Sequence, residues 1–175
     1  INFLKFIYIF NMIIYLKNKH TLKVDNFYFN CSIGKRGLIK RKKEGDQKTP
    51  IGKFNIGHLY YRKDRIRKPA TKLNCISIQK NMGWCDDVSN NKKYNKLIKI
   101  SKYIKHEKLY RKDKKYDLLI PIKYNFYNTV LGKGSCIFIH LTKNYRPTAG
   151  CIALKEKDFL IMLKILKKNT KIKIF

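Results

Sequence analysis

Apolar and polar positions alternate in short runs along most of the chain, and these runs are bounded by Gly, Asn, Asp or Pro. A period of two, with many β-branched and aromatic residues, predicts β-strands. Near the N-terminus, MIIYLKNKHTLKV (12–24) predicts two strands around the turn Lys17–His20. The other strand-like runs are FYFNCSI (27–33), GKFNIGHLYY (52–61), YDLLIPIKYN (116–125), SCIFIHL (135–141), CIAL (151–154) and TKIKIF (170–175).

One segment has a clear helical period. In KEKDFLIMLKILKKN (155–169) the acids come early and the lysines late, and one face carries Phe159, Met162, Leu163 and Leu166. A second helical piece is predicted over 93–104. Because the 175 residues contain no internal repeat and no low-complexity linker, they predict a single domain. We expect a mainly β fold with minor α, a sandwich or open barrel with one packed C-terminal helix.

The first residues allow two interpretations. INFLKFIYIFNMIIYL (1–16) is apolar, but Asn11 interrupts it and it lacks a small-residue cleavage site, so the export signal is not convincing. It could act as an uncleaved anchor in weak contact with a membrane, or the domain could begin at Met12. We favour an apolar N-terminal extension over 1–11 and a single folded domain over 12–175, with Met12–Leu16 as a strand.

The formal net charge is +30, from 41 Lys and Arg against 11 Asp and Glu. A basic chain can bind nucleic acid or another anionic polymer. However, 34 of the 41 basic residues are lysines spread along the chain, and the abundance of Lys, Asn and Ile resembles the codon bias of an AT-rich genome. We therefore expect no specific nucleic-acid partner and a solvated basic surface.

Five cysteines, at 31, 75, 85, 136 and 151, form no CxxC pair, so the spacing does not indicate a zinc site. Their odd number leaves at least one thiol unpaired. The apolar alternation around Cys31 and Cys136 is typical of small core residues.

The stretch IFIHLTKNYRPTAGCIALKEKDF (137–159) combines a histidine at the end of an apolar run with a cysteine after a small-residue loop. A thiolate is a nucleophile, and a nearby imidazole can take the thiol proton and later return it. The small residues before Cys151 would let backbone N–H groups converge on a developing oxyanion. The residues alone leave an alternative open, a core cysteine and a strand-end histidine.

This stretch resembles the active-site segment of the YkuD-type L,D-transpeptidases (the ErfK/YbiS group), enzymes of peptidoglycan. That family has a histidine on one strand, then a loop with Ser or Thr, a further residue, Gly and the catalytic Cys. The corresponding residues are His140, Thr148, Ala149, Gly150 and Cys151.

The resemblance extends from Met12 to Phe175. KKEGDQKTPIGKFNIGHLYYRKDR (42–65) is similar to the family's Glu-Gly-Asp-x-x-Thr-Pro-x-Gly segment, and GWCDD (83–87) and HEKLYRKDKKYD (106–117) recur in one branch of it. The chain departs from many members at Ala149, where they have His, and at Ala153, where they have Arg or Asn. The ten-residue spacer between the His and the Cys is also short.

The resemblance implies a YkuD-like fold and a cysteine acyltransferase that cross-links peptidoglycan stem peptides. Cys151 would be the nucleophile and His140 the acid and base, with oxyanion donors at Ala149, Gly150 and Cys151, and no metal or organic cofactor. A carboxypeptidase or amidase that hydrolyses the same thioester stays open, as does, more remotely, a non-enzymatic basic binding protein. The substrate implies the periplasm or cell envelope and a role in wall biogenesis and cell shape.

Other residues are candidates for substrate contacts. We expect Arg62 and Arg65 to bind a stem-peptide carboxylate, and Trp84 and Thr148 to contact substrate. A solvated arginine pair and a core tryptophan are the alternatives. We expect turn chemistry at Asp46 and Thr49, and structural or solvated roles for the remaining histidines, His20, His58 and His106.

Overall fold

The computed structural model describes residues 12–175. The described part of the chain contains fifteen short strands and one helix. In chain order the elements are β1 (Ile13–Asn18), β2 (Thr21–Val24), β3 (Phe27–Asn30), β4 (Leu38–Ile39), β5 (Thr49–Pro50), β6 (Gly52–Asn55), β7 (Leu59–Tyr61), β8 (Cys75–Ser77), β9 (Met82–Cys85), β10 (Leu97–Lys99), β11 (His106–Lys108), β12 (Leu118–Pro121), β13 (Phe138–Leu141), β14 (Ile152–Leu154), α1 (Glu156–Ile165) and β15 (Lys171–Ile174).

The first sheet has five strands in the order β3-β2-β1-β15-β6. Strand β1 is its central strand, antiparallel to β2 and parallel to β15, so the two ends of the described chain meet in one sheet. Ile14 and Leu16 are fully or almost fully buried there. The two strands predicted over 12–24 are therefore confirmed. The predicted extension over 1–11 lies outside the described residues, and the domain boundary at Met12 stays a prediction.

The second sheet has the order β14-β13-β12-β7-β8, and its strands β12, β13 and β14 are buried on both faces. Strand β12 shows how the faces alternate: Leu118 and Ile120 belong to the larger apolar cluster, whereas Leu119 belongs to a smaller one on the opposite face. A central strand that is buried on both sides is expected to be continuously apolar, as LLIP is.

The larger cluster fills the space between the two five-stranded sheets and the helix. Helix α1 contributes Phe159, Met162 and Leu163, which the helical period predicted, and acids lie in its first turn. This two-sheet arrangement with one packed helix confirms the predicted mainly β sandwich. With ten residues α1 is too short to cross a membrane, and no described helix is long enough.

A third sheet, β10-β9-β11, lies beside the smaller cluster, which includes Trp84 of β9. The helix predicted over 93–104 is wrong, because Leu97–Lys99 pairs with β9 instead. Asn95, in the left-handed region at φ 57°, breaks any helical path before that strand. Pairing with a neighbouring strand overrides the weak local helical preference of this segment.

Candidate active site

Parallel pairing of β13 with β14 brings the predicted nucleophile and base to one face of the second sheet. His140 pairs with Ala153, and Ile139 with Ile152. Paired residues on adjacent strands point to the same face, and so do residues two apart on one strand. Cys151, two residues before Ala153, therefore shares its face with His140 and with Phe138. The eleven-position separation in sequence becomes a neighbouring position in the fold.

The Cys151 thiol is enclosed by backbone groups of the strand beside it. Its Sγ donates to the carbonyl oxygen of Cys136 at 3.1 Å and accepts from the amide N–H of Phe138 at 3.3 Å. The residue is 7% exposed. The Phe138 N–H is a fixed donor that favours the thiolate, whereas the Cys136 carbonyl accepts from the S–H and favours the thiol.

The His140 ring is held in one tautomer. Its Nδ1 lies 2.9 Å from the carbonyl oxygen of Leu141. Because a carbonyl can only accept, Nδ1 carries the proton, and Nε2 keeps the lone pair that a general base needs. Tyr116 packs edge-on against the ring, with 5.4 Å between centroids. A backbone carbonyl thus orients the imidazole here.

Burial shifts the pKa values of the two groups in opposite directions. Desolvation raises the pKa of the Cys151 thiol to about 12, partly offset by the Phe138 N–H. Desolvation lowers the pKa of His140 to about 4, partly offset by the Leu141 carbonyl. At neutral pH the pair is therefore an uncharged thiol and an uncharged imidazole, so the base is unprotonated and free to accept a proton.

The loop before Cys151 is fixed by two hydroxyls. Thr148 Oγ1 donates to the Cys151 carbonyl at 2.6 Å and accepts from the Gly150 N–H at 3.1 Å. Thr49 Oγ1 donates to the Gly150 carbonyl at 2.8 Å and accepts from the Gly34 N–H at 2.9 Å. Gly150 has φ 139°, a conformation that favours glycine. Of the predicted oxyanion donors, the Gly150 amide thus already has an acceptor in the protein, and Ala149 is exposed.

The segment 42–52 supports this loop from behind. Asp46, for which the sequence predicted turn chemistry, accepts from the amides of Lys43 and Lys48 and pairs with Lys42. These donors and the Lys42 charge hold the pKa of Asp46 below its usual range, against the opposing effect of burial. Glu44 accepts from two hydroxyls, those of Tyr94 and Ser135.

The two arginines predicted to bind substrate contact the protein instead. Arg62 is 2% exposed; its guanidinium pairs with Asp64, donates to the Arg111 carbonyl and stacks on Tyr110 at 3.5 Å from the ring centroid. Arg65 pairs with Asp117 at 2.9 Å and donates to carbonyls of the same loop. Together they fasten the 111–117 loop to the chain after β7.

Trp84 lies in the smaller apolar cluster and is 3% exposed. It packs edge-on against Phe138 at 5.3 Å, and its indole N–H donates to Asn95 at 3.0 Å. These contacts match the alternative that the sequence left open, a core tryptophan. Its contribution to the site is indirect, because Phe138 is the residue whose amide reaches the sulfur.

Sequence reasoning did not single out Tyr116 or Cys136. Tyr116 packs against both Phe138 and His140, and burial, followed by the neighbouring Cys151, raises its pKa well above the usual range. Cys136, at φ 53°, supplies the carbonyl that accepts from Cys151. A tyrosine before an apolar strand and a cysteine in an alternating run look like core positions, so no local signal marked them.

The other histidines lie apart from this pair. His20 and His58 are exposed. The ring of His106 bonds through Nδ1 to the Ile104 carbonyl at 2.6 Å, and its neighbour Glu107 pairs with Arg111 at 2.7 Å. Between residues 12 and 175, no three His, Cys, Asp or Glu side chains cluster closely enough to hold a metal ion. The five thiols are all free.

The sequence matches the family model of the YkuD L,D-transpeptidase catalytic domain over residues 10–174. The chain belongs to this family. The match covers almost all of the sequence and contains both His140 on β13 and Cys151, which immediately precedes β14. No curated protein matches the chain.

Two solved structures match the chain over most of its length. The helical cell shape determining protein Pgp2 from Campylobacter jejuni has a TM-score of 0.50 and 17% identity, covering 94% of this chain and 46% of that one. L,D-transpeptidase 1 from Mycobacterium tuberculosis has a TM-score of 0.40 and 11% identity, covering 94% and 61%. The chain thus spans about half to three-fifths of the length of these proteins.

Proposed function

We propose that this YkuD domain is a cysteine acyltransferase that performs L,D-transpeptidation on peptidoglycan stem peptides. The observation that carries the proposal is the parallel register of β13 and β14, which puts a thiol and a correctly protonated imidazole on one face. A general base beside a nucleophile is the arrangement that acyl transfer requires. Membership of the family supports peptidoglycan as the substrate in general.

In the first step, Cys151 Sγ attacks the carbonyl carbon of the amide between an L-centre and a D-amino acid. Nε2 of His140 takes the thiol proton and gives it to the leaving amine, so a C–S bond forms as the C–N bond breaks. In the second step, the amine of another stem peptide attacks the thioester. It loses a proton to His140, an amide forms, and the sulfur leaves and recovers the proton.

The developing oxyanion needs backbone donors near the sulfur. We propose the amides of Ala149 and Cys151 as donors, with Gly150 as a third once its N–H leaves Thr148 Oγ1. Thr148 can hold the N–H in the resting loop and accept a different donor when substrate binds. This role for Thr148 combines the substrate contact predicted from the sequence with its observed hydrogen bonds.

A peptidoglycan substrate implies that the protein works in the periplasm or the cell envelope. The basic surface would favour an anionic wall polymer in a general way, without a specific site. A role in cell-wall biogenesis and cell shape follows from the same substrate.

Incubation of the full chain with purified muropeptides, followed by mass spectrometry, tests the proposal. Cross-linked dimers with loss of one D-amino acid are expected. Shortened monomers without dimers would replace the transferase with an L,D-carboxypeptidase or amidase, because water would then take the thioester. No product at all, with a folded protein, would overturn the enzymatic proposal and favour a binding protein.

A further inference from the structure

Among the lysines of residues 12–175, Lys42 is the exception, because its side chain is only 2% exposed and the others are not buried. The chain has a net charge of +30, so its solubility does not depend on one more lysine. Burying an ammonium group is also unfavourable unless the group is paired. Lys42 Nζ pairs with Asp46 at 2.5 Å and donates to the Lys48 carbonyl at 2.9 Å. The group is thus held at one defined point.

That point lies directly behind the loop that carries the nucleophile. A methyl group added at Gly150 would lie 3.3 Å from Lys42 Nζ, and one added at Gly134 would lie 2.8 Å from its Cε. The lysine therefore passes close to both glycines: a side chain at Gly134 would collide with its Cε, and one at Gly150 would be in tight contact with its Nζ. One of these glycines immediately precedes Cys151, and the other lies two residues before Cys136, whose carbonyl accepts from the thiol.

The charge of Lys42 acts on the sulfur. Burial is the largest cause that raises the pKa of Cys151 and Glu107 adds to it, whereas the Phe138 amide and, by smaller amounts, Lys42 and Lys115 lower it. Lys115 is exposed and therefore more strongly screened by solvent. The other titratable groups that face the thiol are Tyr116, Cys136 and His140.

We propose that Lys42 is a positioning residue for Cys151, whose buried ammonium holds the Thr148–Cys151 loop and stabilises negative charge on the sulfur and on the oxyanion beside it. The proposal rests on Cys151 being the nucleophile of the proposed function. In this view Asp46 sets the strength of the effect, since its carboxylate offsets the same positive charge. The ion pair would set how readily the thiol ionises, because the lysine favours the thiolate and the aspartate disfavours it.

A purely structural lysine would behave differently. It would matter only as a link between Asp46, the Lys48 carbonyl and the two glycines. Removing either member of the ion pair would then loosen the same loop, and both changes would affect the thiol in the same direction. An electrostatic role instead predicts that the two substitutions shift the reactivity of the thiol in opposite directions. The sign of the two shifts therefore distinguishes the two roles.

The test follows the alkylation of Cys151 by iodoacetamide across a pH series, with peptide mapping to separate the five cysteines. Lys42→Met keeps the length of the side chain and removes its charge, and should slow alkylation at a given pH about tenfold, as for a thiol pKa one unit higher. Lys43→Met is the matched control, because Lys43 is adjacent in sequence and exposed, and its profile should be unchanged.

Asp46→Asn keeps one oxygen for Lys42 and the Lys48 N–H, gives up the acceptor of the Lys43 N–H and removes the opposing charge, so an electrostatic role predicts faster alkylation and a profile at lower pH. The proposal fails if Asp46→Asn slows alkylation or leaves it unchanged, or if Lys42→Met behaves like Lys43→Met. If Lys42→Met does not fold by circular dichroism, Asp46→Asn alone still decides by its direction. Alkylation needs no peptidoglycan, so failure of the muropeptide assay and failure of this proposal are separate results.

Discussion

Two buried thiols that lie in different apolar clusters show what separates a core cysteine from a candidate nucleophile. Cys31 is 3% exposed in the larger cluster, and Cys151 is 7% exposed in the smaller one. Burial raises the pKa of each thiol to about 12. Neither burial nor pKa distinguishes them.

Their neighbours do. Burial alone accounts for the raised pKa of Cys31. At Cys151 burial also dominates, but the Phe138 amide lowers the pKa and charged side chains act on it. Cys151 also shares its sheet face with His140. A reactive thiol is recognised by donors and a base placed for the charged form, because these act when the proton leaves. Substitution of Cys151 should therefore affect turnover, whereas substitution of Cys31 should affect only stability.

The largest effect is expected at the two thiols themselves. Cys151→Ala should reduce muropeptide turnover by roughly 1000-fold or more, because no other group can form the thioester. Cys31→Ala should keep turnover and lower the free energy of unfolding by roughly 1 kcal/mol, through a small cavity. Product analysis and urea denaturation measure both. Wild-type turnover in Cys151→Ala would remove the distinction between the two cysteines.

His140 should show the next largest effect. Its pKa is about 4 in the fold against 6.5 ordinarily, so between those values the unfolded chain binds the proton more readily. The free energy of unfolding should therefore fall as pH drops from about 6.5 to about 4, by about 3 kcal/mol in total. His140→Gln should remove this part of the pH dependence and reduce turnover by about 100-fold or more.

Denaturation at several pH values checks this, with His20→Gln as the control, because His20 is exposed. The difference between wild type and each variant isolates the histidine from the carboxylates that also titrate in this range. If the His140 and His20 variants give parallel curves, His140 does not lie uncharged in a buried site.

The sequence was sufficient for the elements whose pattern is local. Alternation in 12–24 and 170–175 predicted strands, and α1 followed from the period of Phe159, Met162 and Leu163. The strand β9 and its partners were missed, and 93–104 was assigned as a helix, because pairing with distant strands determines their conformation. Contacts that depend on topology leave little local signal.

The same limit applies to the site. The pattern around His140 and Cys151 marked both residues, and the register of β13 and β14 brings them together. Arg62 and Trp84 were predicted as substrate contacts, because a charged and an aromatic side chain can both bind a peptide. Residue type does not show whether such a side chain points toward the core or toward a substrate. The structure turns both inward, onto Asp64 and Asn95 respectively. Residue type predicts which side chains are able to bind substrate. Only the fold shows which of them already donate hydrogen bonds to other groups of the protein.

A smaller effect is expected at Thr49, whose hydroxyl links the Gly34 amide to the Gly150 carbonyl in the loop before Cys151. Thr49→Val keeps the shape but leaves the Gly34 N–H and the Gly150 carbonyl without their buried partner, so it should cost about 1 to 3 kcal/mol of stability. Turnover should fall as the loop loosens. Thr49→Ser keeps the hydroxyl and is the control, with stability expected near wild type. Wild-type stability in Thr49→Val, or a larger loss in Thr49→Ser than in Thr49→Val, would show that the hydroxyl does not hold this loop.

The smallest effect is expected on the exposed lysines, which are the counterpart of buried Lys42. Lys80 and Lys168 are both exposed. Lys80→Gln and Lys168→Gln should change the free energy of unfolding by less than about 0.5 kcal/mol and leave turnover near wild type, since solvent screens a single surface charge. Urea denaturation and the muropeptide assay measure the two quantities. Loss of turnover in either variant, with the fold intact, would reveal a specific basic site on the surface. It would also show that burial does not separate the functional lysines of this protein from the others.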